Sequence, residues 1–134
     1  MASYHLDLVT PERTVFSGDV TSLTAPSTEG LFGVLPGHAA LLTSLATGLL
    51  SFVQNDGQSR QAAVSGGFAE VEKGRVVILA ETAELADEID VERARQALAR
   101  AREALAQSPK GVESEQLRQA IARAQSRLRA AATD

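Results

Sequence analysis

Asp90, Arg93, Arg123 and Arg127 are the side chains of this 134-residue chain whose types and spacing best suit binding chemistry. If the break between two helical runs is centred near Lys110, Arg93 lies seventeen residues before it and Arg127 seventeen after. In an antiparallel hairpin those two ends meet. Arg123 and Arg127, four apart, share one helix flank, and Arg93 borders the apolar stripe of the first helix. Several like charges at one place are unfavourable unless an anion joins them, and guanidinium forks match phosphate oxygens. A phosphate-bearing ligand is therefore one reading. Solvated helix faces and partner-docking surfaces also carry arginines in this pattern. Asp90 by itself is explained as a helix N-cap.

Other candidate chemistry is sparse. The segment Glu29-Gly30-Leu31-Phe32-Gly33-Val34-Leu35-Pro36-Gly37-His38 reads as a shaped turn, since its glycines admit conformations closed to other residues and Pro36 fixes a bend. It presents Glu29 and His38, an acid/base pair in principle and, more simply, interaction residues on a loop. Ser65 precedes Gly66-Gly67 without the Gly-x-Ser-x-Gly context of a nucleophile elbow. There is no P-loop, and Gly30 and Gly33 do not make a dinucleotide fingerprint. Cysteine is absent, and His5 and His38 are far apart, which leaves only carboxylates to recruit a cation. No catalytic residue, metal site or required cofactor is read from the chain.

The elements that position these residues fall into two groups. Residues 1–89 hold four basic and eleven acidic side chains, net −7, whereas residues 90–134 hold nine and six, net +3. Such asymmetry points to two modules with different partners, the second suited to an acidic surface. In the first, short alternating runs at Tyr4 to Val9, Val20 to Ala25, Gly48 to Val53, Gln61 to Val64, Phe68 to Val71 and Val76 to Leu79 predict strands. Asn55-Asp56-Gly57 and Lys73-Gly74 are hairpin signals, and Gly66-Gly67 reads as a bulge or a strand entry. In the second, Ala94, Ala97, Leu98, Ala101, Ala104 and Leu105 share one helical face, as do Leu117, Ala120, Ile121, Ala124 and Leu128. Ser108-Pro109-Lys110-Gly111 interrupts them. The expected fold is α+β: an antiparallel β-sandwich or barrel over 1–86, then a two-helix hairpin over 87–134. Alanine makes the hairpin's interface thin, so the helices should be able to separate.

The uncharged stretch from Leu31 to Asn55 is broken by Pro36, Gly37, His38 and Gly48 and is not a membrane span. The N-terminus lacks the basic region and apolar core of a secretory signal, so synthesis and use in one compartment are expected.

Three motifs carry a resemblance that spans essentially the whole chain. The Glu29 to His38 loop, Ser65-Gly66-Gly67-Phe68-Ala69-Glu70-Val71 and Ile89-Asp90-Val91-Glu92-Arg93-Ala94 together resemble the epsilon subunit of bacterial and plastid F-type ATP synthases. The resemblance implies a non-catalytic central-stalk subunit that couples rotor rotation to ATP synthesis and restrains hydrolysis through its helices. It implies a sandwich bound to the gamma subunit and seated on the c-subunit ring, with Glu29, Gly30, Leu31, Phe32, Gly33 and His38 in the ring-contact segment. The hairpin would lie folded or extend along gamma towards the alpha and beta subunits, where Arg118, Arg123, Arg127 and Arg129 would meet acidic side chains. In some relatives an Ile-Asp-x-x-Arg-Ala motif with two later arginines binds ATP. That pattern maps onto Ile89, Asp90, Arg93, Ala94, Arg123 and Arg127, with Glu84 at a further contact, and makes ATP a regulatory ligand. The implied location is the cytoplasmic face of the bacterial inner membrane, or the stromal face of the thylakoid, with membrane association only through the complex.

Two rival classes are expressible. A free-standing module could recognise nucleic acid through its basic hairpin, but interspersed Glu92, Glu103, Glu113 and Glu115, and the lack of any aromatic residue after Phe68, argue against it. A small-molecule enzyme would rely on Glu29 and His38. Because the large apolar side chains concentrate before the helices, residues 1–86 should fold alone. A truncated chain with strand-type circular dichroism and cooperative unfolding is expected; an unfolded one would refute the division.

Overall fold

The computed structural model describes residues 2–107 and 110–132. Seven strands come first: β1 (Tyr4–Val9), β2 (Thr14–Ser27), β3 (Gly30–Val34), β4 (Leu41–Ser44), β5 (Gly48–Gln54), β6 (Ser59–Glu72) and β7 (Arg75–Leu85). A 3-10 turn at Ala86–Glu88 leads into α1 (Val91–Ala106) and α2 (Val112–Ala132). The strands form a β-sandwich in which β2, β6 and β7 are long enough to serve both layers. The first half of β2 pairs with β1, and its second half pairs with β5 and β3. Likewise β6 pairs with β5 early and with β4 late. Since β1 also pairs in parallel with β7, the strands close on themselves, and most sheet edges are removed.

Where strands change layer, the backbone departs from ideal pleating. In β2 the register with β5 slips between Val20 and Ser22. In β6 the corner is Gly66-Gly67, at φ 58° and 106°. The register between β6 and β7 runs through it without a slip, so the pair is neither bulge nor strand entry but a left-handed twist inside one continuous strand. It also flips the inward face. Ala62 and Val64 point to the core before it, Ala69 and Val71 after it. A Cβ on Gly67 would fall 1.8 Å from the Leu79 carbonyl oxygen, whereas the Gly67 carbonyl accepts the Leu45 amide at 2.9 Å.

Between the layers lie Leu6, Leu8, Val20, Leu23, Leu50, Phe52, Val64, Val71, Val76 and Ile78, all essentially buried. The Tyr4 hydroxyl donates to the Val34 carbonyl at 2.7 Å, and burial pushes its pKa up to about 12. β3 and β4 were not expected. β3 lies inside the segment that the sequence suggested was a loop, where Gly30 to Val34 pairs with β2, and β4 lies just beyond it, where Leu41 to Ser44 pairs with β6. The hairpin turns at Asn55-Asp56-Gly57 and Lys73-Gly74 are as expected, with Gly57 and Gly74 at positive φ.

Asp90 caps α1, its Oδ1 accepting the Arg93 amide at 3.1 Å. Ser108 and Pro109, half of the expected break, lie outside the described residues; Gly111, at φ 64°, precedes α2. α1 packs on α2, and α2 packs on β5 and β6. The buried side chains of the helices are all small: Ala94 and Ala101 on α1, and Ser114, Ala124, Ser126 and Ala130 on α2. Ser126 Oγ donates to the Gly48 carbonyl at 2.6 Å, which fastens α2 to the start of β5.

Two glycine substitutions separate corner geometry from ordinary turn strain. Gly67→Ala should destabilise the chain by about 2–4 kcal/mol, because a positive φ and a backbone overlap coincide there. Gly57→Ala, at φ 90° but in open space, should lower stability by only about 1 kcal/mol. Urea unfolding midpoints check both, and equal losses would contradict the corner's role.

Candidate functional site

The end of β7, the 3-10 turn and the two helices enclose a cleft of about 440 Å³ lined by Glu84, Glu88, Asp90, Arg93, Ala94, Ala97, Arg100 and Arg127. That volume suits a small organic ligand. Each wall follows from local sequence. Asp90 ends the extended segment and starts α1, which sets Arg93, Ala94, Ala97 and Arg100 on successive turns of one face. Ala94 is buried, and its small side chain keeps the cleft floor open. Arg127 Nε donates to Glu84 Oε1 at 2.5 Å, an ion pair between α2 and β7 with both side chains about one-third exposed.

A second ion pair braces the junction of sandwich and hairpin. Arg13, beyond the end of β1, donates from both terminal nitrogens to Glu88 at 3.0 and 3.1 Å. Glu88 also accepts the Leu85 amide at 3.1 Å. The Arg13 hydrogen bonds, with a smaller contribution from the Leu85 amide, hold the Glu88 carboxyl below its ordinary value of 4.5 against partial desolvation.

Of the residues expected at the cluster, Glu84, Asp90, Arg93, Ala94 and Arg127 come together here. Ile89 and Arg123 do not line the cleft; both are half-buried beside it, Ile89 closing the 3-10 turn through its amide to the Ala86 carbonyl. Glu88, Ala97 and Arg100 were not anticipated. Arg100 follows Arg93 by seven residues, two helical turns, and that spacing was available in the sequence.

The four arginines expected to dock the hairpin do not form one face. By helical spacing of roughly 100° per residue, Arg118 and Arg129 share one side of α2 and Arg123 and Arg127 lie roughly half a turn away. Arg118 and Arg129 are exposed, and Arg129 overhangs a separate cleft against Thr47 and Gly48.

The Glu29 to His38 segment is likewise divided. Glu29 sits in the turn before β3, where Ser27 Oγ donates to the Gly30 carbonyl and accepts the Glu29 amide. Leu31 projects there, 74% exposed, and Gly33 is exposed while Phe32 leans on the core. His38 lies past the opposite end of β3, its Nδ1 2.7 Å from the Ala39 carbonyl and its amide bonded to Leu35. Five strand residues at about 3.3 Å each separate the two groups, so they form no acid/base pair and the enzyme alternative loses its site. Among the described residues no cluster of His, Asp or Glu could hold a metal ion.

One outer face of the sandwich is graded. Its registers set Asp19, His5, Arg75 and Glu72 in one row, Ser17, Asp7, Val77, Glu70 and Leu42 in the next, and Val9, Leu79 and Phe68 in the third. Leu42, Phe68 and Leu79 are all about half exposed or more. Asp7 is held below the ordinary carboxylate range first by its Ser17 hydrogen bond, then by Arg75 and His5.

Residues 3–86 match the family model for the ATP synthase delta/epsilon chain beta-sandwich domain, and residues 87–132 match that for its long alpha-helix domain. The chain belongs to the ATP synthase delta/epsilon family. The ATP synthase epsilon chain of Moorella thermoacetica is 44% identical over 98% of both chains. That of Desulforamulus reducens is 45% identical over 94% of this chain and 95% of its own. A chain in the Euglena gracilis mitochondrial ATP synthase assembly of OSCP, F1 and c-ring is 34% identical and superposes with a TM-score of 0.83, covering 98% of this chain and 82% of that one. A chain of the Tetrahymena thermophila central stalk and c-ring, 16% identical with a TM-score of 0.55, shares the fold. The chain is thus an epsilon-type, non-catalytic subunit. Among the described residues no helix is long and apolar enough to cross a membrane.

A lowered folded-state pKa contributes stability above the ordinary value, and that stability is lost as pH falls through the lowered one. Glu88 should therefore titrate below 4.5 by carboxyl NMR. Arg13→Ala should raise that midpoint and weaken amide protection near Leu85; an unmoved midpoint would remove the brace.

Proposed function

We propose that the chain is a rotor-side stalk subunit whose sandwich couples rotation to ATP synthesis and whose hairpin restrains ATP hydrolysis, with ATP as a regulatory ligand. The carrying observation is the superposition of 98% of the chain on a chain of the Euglena gracilis mitochondrial assembly of OSCP, F1 and c-ring, at a TM-score of 0.83. The exposed apolar side chains Leu42, Phe68 and Leu79, from adjoining rows of one face, suit a standing contact with the gamma subunit. The exposed tip at Glu29, Gly30 and Leu31 suits contact with the c ring. Extension of the hairpin then brings α2, with Arg118 and Arg129 already exposed, towards acidic surfaces of the alpha and beta subunits. The complex gives the chain a peripheral place at the cytoplasmic face of the bacterial inner membrane, or at the stromal face of the thylakoid.

ATP fits the cleft because Arg93 and Arg100 on α1 and Arg127 on α2 face one space, so a polyphosphate bridges the helices and holds them folded together. At one hundred times its dissociation constant, such a ligand stabilises the folded hairpin by about 2.7 kcal/mol, a shift of roughly 100-fold. Hydrolysis would then be restrained when ATP is scarce. A nucleic-acid reading is disfavoured because the arginines of α2 divide between two sides rather than forming a continuous track.

Deleting residues 90–134 from the assembled enzyme should leave synthesis coupled and raise ATP hydrolysis several-fold. Steady-state hydrolysis and proton pumping in membrane vesicles measure this. Unchanged hydrolysis would remove the inhibitory role, and lost pumping would move coupling onto the hairpin.

A further inference from the structure

On the other outer face of the sandwich, α2 covers only part of what the strands present. Leu23 and Ala25 turn into the core, so Thr24 and Pro26 turn outward, and the registers set Thr24 beside Ser51 and Pro26 beside Leu31. Leu49 lies two residues before Ser51 on the same side of β5. Because α2 packs over β5 and β6, the strip formed by β2 and β3 is left beside it. Two adjoining clefts of about 450 and 410 Å³ result, and Thr47, Gly48 and Arg129 line both. The first continues along α2 to Ala122 and Leu128. The second runs out over Pro26 and Leu49 to Leu31, which is 74% exposed.

The chemistry of this groove is uneven. Its surface is aliphatic at Pro26, Leu49 and Leu31 and carries hydroxyls at Thr24, Thr47 and Ser51, while Arg129 supplies its charge. Among the described residues no carboxylate lines either cleft. The helix dipole explains a basic residue in the last turn of α2. It does not explain why that residue overhangs an aliphatic trough. No residue that lines the cleft between the helices and β7 recurs here, so the two sites are distinct.

We propose that this groove binds an aliphatic monocarboxylate, a medium-chain fatty acid, with its head group on Arg129 and Thr47 and its chain along Pro26 and Leu49 towards Leu31. From β5 across β2 to β3 is two strand spacings, roughly 10 Å, a length that such a chain spans. Burial of the chain supplies the gain, and the guanidinium fixes the direction of entry. The inference is independent of the ATP reading and of the subunit's place in an enzyme. Its consequence falls on the hairpin. A ligand that touches α2 and the sandwich together clamps the docked arrangement, and when α2 lifts away the groove loses Arg129. At ten times its dissociation constant, a ligand confined to the docked form favours that form roughly tenfold.

The test is amide NMR and hydrogen exchange of the full chain titrated with monomeric octanoate, with octanamide as the neutral match. Octanoate should shift the Thr47, Gly48 and Ser51 amides saturably and slow exchange of α2 amides about tenfold near saturation. Octanamide should bind roughly three- to tenfold more weakly, the strength of a part-exposed charged hydrogen bond. Arg129→Gln should erase that difference by weakening octanoate alone, whereas Leu31→Ser, at an exposed tip, should weaken both ligands. Equal affinities in the native chain, or a difference that survives Arg129→Gln, would overturn the proposal. So would the absence of saturable shifts at millimolar octanoate, or shifts centred on Leu42, Phe68 and Leu79. Binding that leaves α2 exchange unchanged would remove the clamp and place the ligand off the helix. Cosedimentation with anionic phospholipid vesicles, without a response to octanoate, would make the face a membrane contact and overturn the proposal as well.

Discussion

The seating of α2 on the sandwich is the contact on which the remaining features depend. It places Arg127 opposite Glu84, and without it the cleft would lose one of its walls. It is made of small groups. The buried residues of α2 are all alanine or serine, and Ser126 reaches the backbone of Gly48 directly. Close approach of alanine and serine gives tight packing with little apolar area, so each residue contributes only a fraction of what a buried leucine would. A contact with those properties holds one arrangement while remaining separable from the body it rests on.

The sandwich differs in kind. Its interior is filled by leucine, isoleucine, valine and phenylalanine, and its strands close on themselves around corners that only particular residues allow. Gly67 is such a corner, with no room for a side chain beside Leu79. Rigidity reaches the junction through Arg13 and Glu88, which bind the 3-10 turn to the strand body. A firm platform therefore carries a lightly held hairpin, the arrangement on which the proposed regulation depends.

Much of this was legible in the sequence because it depends on local rules. The alanine and leucine spacing after Val91, the N-cap at Asp90 and the turns at Gly57 and Gly74 each state their own structure. β3 and β4 stayed hidden because neither alternates: Leu41 and Leu42 are both exposed, and Gly30 and Gly33 have no side chain to declare a face. β6 looked like two strands because its inward face changes at Gly66-Gly67. At the cluster, helix spacing placed Arg123 and Arg127 on one flank but could not tell that only Arg127 borders the cleft. The neighbours of Glu88 and the partner of Glu84 depend on tertiary approach, which no spacing in the chain expresses.

Hydrogen exchange of the full chain under increasing sub-denaturing urea tests the separable hairpin most directly. The account predicts that amides of α1 and α2 exchange through an opening well below the global unfolding free energy and weakly dependent on urea, while core amides of β6 and β7 exchange only by global unfolding. Convergence of helix and sheet amides on one opening free energy and one urea dependence would show a single cooperative body and contradict it.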